Sequence, residues 1–282
     1  MIAWVALLLL AMVSIQTGAS FAKTLFPLAG AAGTTALRLF FATLLLWGFW
    51  RPWRFKLTRP QLKLLALYGM SLGFMNLTFY FALERIPLGL TVTLEFIGPL
   101  ALSILTSRKR IDFFWAFLAG LGIFMVMPTS SLNQSLDPIG IGFALLAGFF
   151  WALYILFGQR AGSKINSGLA TSVGMLFASL VALPFGLLID GPKLLNTNLY
   201  LMGFLVAVLS SALPYSLEMV SMKKIPTKTF GILMSLEPAV ASLIGVLFLR
   251  ETLTLVQCLA IFFVIVASLG SSYTTSPQTS PS

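Results

Sequence analysis

The chain has no histidine and only one cysteine in 282 residues. The first absence removes His-dependent hydrolases, histidine proton relays and the usual zinc sites together. The second removes a disulfide framework and any cysteine-ligated metal. No cofactor or metal has support in what remains, and the chain does not read as an enzyme. Charge is also scarce. Only 9% of residues are charged and 58% are hydrophobic, against roughly 25% and 45–50% in soluble domains. So little charge cannot cover a water-facing surface, and the composition is that of a polytopic membrane protein embedded in a lipid bilayer. Acidic residues are the scarcest, 8 against 18 basic. In a soluble chain the net charge of +10 would point to nucleic acid. Here the basic residues sit in short clusters between apolar runs, which is a topology signal and implies no nucleic-acid partner.

Apolar runs of about 16–25 residues predict ten membrane helices, over 3–24, 33–50, 61–83, 88–107, 112–128, 138–159, 168–189, 198–222, 227–249 and 254–272. The first lacks the basic start of a signal peptide and runs straight into the second, so it reads as an uncleaved helix. Cys258 falls inside the last run and reads as a small buried hydrophobe. The Ser/Thr/Pro-rich end of the chain, 273–282, reads as a disordered tail on the cytoplasmic side. Counted by loop, the breaks after the second, fourth, sixth and eighth helices hold thirteen Lys and Arg, and the odd-numbered breaks hold four: Lys23, Arg85, Lys193 and Arg250. The positive-inside rule then puts the even breaks and both termini in the cytoplasm.

Two stretches repeat. Ile86 to Ser103 reads IPLGLTVTLEFIGPLALS and Ile225 to Ser242 reads IPTKTFGILMSLEPAVAS. Each starts with Ile-Pro, places a second proline twelve residues after the first, and carries a glutamate in the turn before it. The offset of 139 residues is close to half the chain. Five helices per half is an odd number, so the second half crosses the membrane upside down. The expected architecture is all-α, two inverted five-helix repeats over 1–136 and 137–272. Carriers that alternate access use this arrangement, with the substrate near the midplane where the halves meet.

Glu95 and Glu237 lie deep in these segments, where a charged side chain costs about 2.5–3.5 kcal/mol on insertion scales. Glu95 is a candidate for substrate binding, for proton coupling, or for both in turn. Pro99, one turn on, removes a backbone donor and is expected to leave the Glu95 carbonyl open to a ligand or water. A protonated glutamate that merely joins helices is the plainer reading. Glu237 matches Gly98, not Glu95, at the repeat offset, and a structural role at the Pro238 kink competes with proton coupling. Arg38, inside the second helix, is the cation best placed to meet a carboxylate. Lys23 closes the first helix and reads as either a snorkelling lysine or part of the site. Glu218 reads as a local partner of Lys223 and Lys224. Gln16, Asn76 and Tyr80 (which share a helical face), Trp151 and Tyr215 complete the candidate substrate site, together with Ser210 and Ser211 as polar lining; singly, each is as well explained as interhelical glue.

These residues carry a resemblance over nearly the whole chain. The ordered phrases SIQTGASFAK (Ser14 to Lys23), TALRL (Thr35 to Leu39), LEFIGPLA (Leu94 to Ala101), GQRAG (Gly158 to Gly162), ALPYSLEM (Ala212 to Met219), TFGILMSLEPA (Thr229 to Ala239) and LRETLT (Leu249 to Thr254) resemble the EamA branch of the drug/metabolite transporter superfamily. The resemblance implies a bacterial inner-membrane exporter, monomeric or homodimeric, that moves small neutral amino acids such as threonine or homoserine against inward proton flow. A zwitterion suits Glu95 for its ammonium and Arg38 for its carboxylate. A cationic or aromatic drug-like cargo, held over Trp151 and Tyr80 by cation–π contact, is the alternative. A passive channel is a third reading. Intramembrane proteolysis is disfavoured because Asp112, Asp137 and Asp190 all lie at helix ends or in loops.

Overall fold

The computed structural model describes residues 2–106, 111–126, 137–162, 165–222 and 233–274. Among these the chain is helical, without strands: α1 (Ile2–Trp50), a 3-10 turn (Pro52–Arg54), α2 (Arg59–Leu83), α3 (Leu88–Glu95), α4 (Ile97–Thr106), α5 (Ile111–Val126), α6 (Pro138–Gly162), α7 (Ser167–Leu194), α8 (Asn198–Ala207), a π-helical turn (Val208–Ala212), α9 (Leu213–Met222), α10 (Glu237–Leu249) and α11 (Leu255–Thr274). Five helical stretches are each long and apolar enough to cross a membrane. The surface is apolar, with Leu188 85% and Leu105 82% exposed, while Arg38, Glu95, Asn76 and Glu237 are buried. That inversion of the soluble pattern fits a lipid solvent.

At 1.5 Å per residue, the 49 residues of α1 would measure about 74 Å if straight, more than twice the roughly 30 Å of a bilayer core. The helix is broken at Gly30, with φ 70° and ψ 164°, a region open in practice to glycine alone. The chain folds back there: Ser14 Oγ donates to the Leu209 carbonyl at 2.7 Å and Arg38 reaches the adjacent Ser210, so residues 24 apart in sequence meet neighbouring atoms. The expected gap between the first two spans thus narrows to one residue. Lys23 lies within the first arm rather than at its end. Asp190, the residue that faces the break, accepts from the Gly33 N–H at 3.1 Å and pairs with Lys193 at 2.9 Å. It supplies a buried carboxylate to the exposed N–H groups and positive dipole end of the second arm.

The span expected over 88–107 divides at Phe96 into α3 and α4, and a matching turn at Ser235–Leu236 precedes α10. Phe96 and Ser235 are 139 residues apart, and each stands three residues before a proline, Pro99 or Pro238. A proline takes away the donor that the carbonyl four residues back would use, so each half breaks for the same local reason. The Glu95 carbonyl is nevertheless not open as expected. A Cβ on Gly148 of α6 would stand 2.5 Å from that oxygen, so the α6 backbone closes over the break because residue 148 has no side chain.

α7 packs along α1 and α2, α6 along α2, α3 against α10 and α6, and α5 against α11. Cys258 corrects an expectation: it is exposed on α11 beside Leu255 and Leu259, because the face of that helix turned inward carries Gln257, Ala260 and Ile261 instead. α11 also runs to Thr274, past the expected start of the tail; residues 275–282 lie outside the described residues. So do the 127–136 repeat boundary, Arg108, Lys109, Arg110, Lys164, Lys223, Lys224, Lys228 and the side chain of Glu218.

Candidate functional site

α1, α2, the α3–α4 break, the π-turn and α10 bring the buried polar side chains of both halves together. Arg38, 2% exposed, is the hub. Its Nη1 donates to Ser210 Oγ at 3.2 Å and to the Ser210 carbonyl at 3.4 Å, and its Nη2 donates to Asn76 Oδ1. The guanidinium carbon lies 4.7 Å from the centre of the Tyr80 ring. Hydrogen bonds to a charged group are worth roughly 1.5–3 kcal/mol each, so three of them with a cation–π contact offset the cost of placing arginine in a membrane interior. Asn76 is itself held by its Nδ2, which donates to the Leu72 carbonyl at 2.7 Å.

Pro214 explains why Ser210 is available. It has no N–H to give the carbonyls four and five residues back, Ser210 and Leu209, and those two oxygens are taken instead by Arg38 and Ser14 of α1. The Leu213 N–H reaches back five residues to Val208, which makes the turn π-helical, a form frequent at functional sites. Ser210 and Ser211 are both fully buried there. Both serines, expected only as polar lining, gain a place in the site from this turn; the signal in the sequence is Ser-Ser placed three and four residues before a proline.

On the other side, Gln16 Nε2 donates to Glu237 Oε1 at 3.0 Å. Glu237 begins α10, where the positive end of the helix dipole favours a carboxylate. Glu95 ends α3 and is 7% exposed; the charges that act on it are Glu237, of like sign, and Arg38, of opposite sign. Of the expected site residues, the group therefore comprises two contact sets, Arg38 with Asn76 and Tyr80 and Gln16 with Glu237, and Glu95, which feels the charges of Arg38 and Glu237. Trp151 reaches the α3–α4 break through Phe96, edge to face at 5.4 Å. Tyr215 is buried in an apolar cluster with Leu39, Leu72 and Met175. One face of the Tyr80 ring is taken by Arg38, which removes it as a surface for a ligand cation.

Lys23 stands apart from this group. It pairs with Glu251 at 2.8 Å and donates to the Ile86 carbonyl at 3.3 Å, while the second Glu251 oxygen accepts from the Leu88 N–H at 2.8 Å. This network ties α1, the start of α3 and the α10–α11 loop together. A cleft of about 310 Å³ beside it is lined by Lys23, Phe26, Pro27 and Glu84. Arg85, in the turn after α2, pairs with Asp137 just before α6 at 2.8 Å and holds that carboxyl below the usual aspartate range.

Residues 138–273 match the EamA-like transporter family. The threonine/homoserine exporter RhtA of Escherichia coli K12 is 48% identical over 270 residues, 96% of this chain and 91% of that protein. The chain belongs to the EamA-like transporter family. The exporter of the same name from Salmonella typhimurium SL1344 is 49% identical over 267 residues, 95% of this chain and 90% of its own. A solved crystal structure with 14% identity covers 92% of this chain and 95% of its own with a TM-score of 0.55, a likeness of fold alone. As an EamA-like protein the chain is a multi-pass membrane transporter. Its buried charges then stand where a transporter needs them, between helices and away from lipid.

Proposed function

We propose that the protein is a secondary active exporter of small neutral amino acids of the threonine and homoserine kind, working by proton antiport in a bacterial inner membrane. The two halves, 1–136 and 137–272, would be inverted five-helix repeats that rock about the buried cluster, with both termini in the cytoplasm. The shared 139-residue spacing of the helix breaks at Phe96 and Ser235 supports the repeat. The names of the 48–49% identical relatives support the substrate class.

The observation that carries the reading is the burial in one chain of one guanidinium, Arg38, and two carboxylates, Glu95 and Glu237, with Glu95 under the charge of both others. A zwitterion offers one charge of each sign and is matched by such a set. With no histidine in the chain, the exchanged proton falls to a carboxylate, and Glu95 is the one on which both other buried charges act. A drug-like cation is disfavoured, because Arg38 repels it and already covers Tyr80.

Uptake of labelled threonine and homoserine into everted membrane vesicles, with and without an imposed proton gradient, tests this. Gradient-dependent accumulation is expected for the wild type and not for Glu95→Gln of normal thermal stability. Normal coupled flux in that variant would remove Glu95 from the mechanism. Absence of flux in the folded wild type would return the drug-like cargo to first place.

A further inference from the structure

Five buried side-chain atoms among the described residues make no well-formed hydrogen bond: Gln16 Oε1, Arg38 Nε, Tyr80 Oη, Ser211 Oγ and Glu237 Oε2, of which Tyr80 Oη alone has a neighbour that acts on it, the Ser210 hydroxyl. All five belong to the cluster around Arg38 and Glu237 or to its immediate neighbour in sequence, and every one of these residues is at least nine-tenths buried. Buried polar groups without partners are rare and each asks for an explanation. Ser211 is the clearest. Thr34, Thr35, Thr43, Thr93, Ser210 and Ser216 each donate to the carbonyl four residues back, the usual way a hydroxyl is satisfied in an apolar helix. Ser211, in the π-turn, does not.

The five atoms also differ in kind. Arg38 Nε can only donate, and the two hydroxyls can donate; Gln16 Oε1 and Glu237 Oε2, ionised, can only accept. An ionised Glu237 also fixes the Gln16 amide with its nitrogen towards the carboxylate and its oxygen away. The donors lie on α1, α2 and the π-turn, and the acceptors on α1 and α10. We propose that these are two recognition half-sites for a zwitterionic α-amino acid: Arg38, Tyr80 and Ser211 take its carboxylate, while Glu237 with Gln16 takes its ammonium, leaving Glu95 to carry the exchanged proton. The assignment rests on the amino-acid export proposed above and moves the ammonium from Glu95, where the sequence had put it, to the α10 carboxylate. It makes Ser211 a specificity residue and separates substrate recognition from proton coupling.

The test uses the purified full-length protein in detergent, whose thermal midpoint is titrated with three compounds. They are threonine, 3-hydroxybutanoate (threonine without its ammonium) and 1-aminopropan-2-ol (threonine without its carboxylate). In Ser211→Ala the apparent affinity for threonine and for 3-hydroxybutanoate should fall about tenfold, the worth of one hydrogen bond to a charged group, with 1-aminopropan-2-ol unchanged. Glu237→Gln should do the reverse, losing the amine and sparing 3-hydroxybutanoate; Gln16→Met gives an independent test of the same half. Each variant is scored on affinity relative to its own ligand-free midpoint, which a purely structural role would shift without splitting the two fragments. The proposal is overturned if Ser211→Ala weakens both fragments equally or neither, or if Glu95→Gln and not Glu237→Gln abolishes amine binding. Vesicles separate this from the parent reading. If threonine and homoserine are not exported but another zwitterionic amino acid binds and the variants split as stated, the half-sites stand and the named substrates fall. If no zwitterion stabilises the wild type, both fall.

Discussion

Gln16 and Glu237 are 221 residues apart in sequence and 3.0 Å apart in space, with the Gln16 amide nitrogen donating to the carboxylate. The contact joins the first arm of α1 to the start of α10. Among the described residues Gln16 is the one hydrogen-bond partner of a carboxylate whose other oxygen has none.

Removing that partner should therefore be costly. In Gln16→Leu both oxygens of a buried carboxylate are left without a donor, a loss of about 1–3 kcal/mol. The expected result is a thermal midpoint in detergent lowered by several degrees, with Glu237→Gln in the same background recovering most of it because the uncompensated charge is gone. An unchanged midpoint in Gln16→Leu would mean that the bond contributes nothing.

Lys23 and Glu251 form more than an ion pair. Because Glu251 also accepts from the Leu88 N–H at the start of α3, a lysine there cannot replace it. The exchanged double variant Lys23→Glu, Glu251→Lys should remain as impaired in thermal stability and transport as Glu251→Ala, whereas Lys23→Arg should be close to wild type. Full rescue by the exchange would reduce the network to charge alone.

Gly30 is required by its backbone. Alanine at φ 70°, ψ 164° costs on the order of 1–3 kcal/mol, and its Cβ would overlap the Asp190 carboxylate. Gly30→Ala is expected to lower the yield of folded protein sharply. Asp190→Ala added to it should not restore that yield, because the dihedral strain remains. Recovery in the double variant would assign the defect to the clash.

Gly148 is required by its neighbour. Its missing side chain lets α6 approach the Glu95 carbonyl, so Gly148→Ala pushes α6 away from the α3–α4 break. The expected outcome is a transport rate at least tenfold lower with an expressed, inserted protein, measured in the same everted vesicles. Wild-type flux would show that the break has room to spare.

The sequence by itself determined the solvent, the helical class and the two proline-linked breaks. A chain with so little charge, 9%, cannot cover a water-facing surface, and its apolar runs mark it as a helical membrane protein. Pro99 and Pro238 remove specific backbone donors wherever they stand, so the breaks at Phe96 and Ser235 were legible as local chemistry, as was the conspicuous cost of Glu95, Glu237 and Arg38. What only the tertiary structure decided depends on atoms from distant parts of the chain. No periodicity says that α6 would cover the Glu95 carbonyl, that Lys23 would leave the site for Glu251, or that Asp190 would cap the turn at Gly30. Cys258 was misread because one apolar helix has two apolar faces, and only packing chooses which one meets lipid. Ser211 was visible as a serine near a proline; that it alone among its neighbours keeps an unspent hydroxyl follows from the π-turn, and a π-turn follows from which side chains arrive to take the carbonyls that Pro214 sets free.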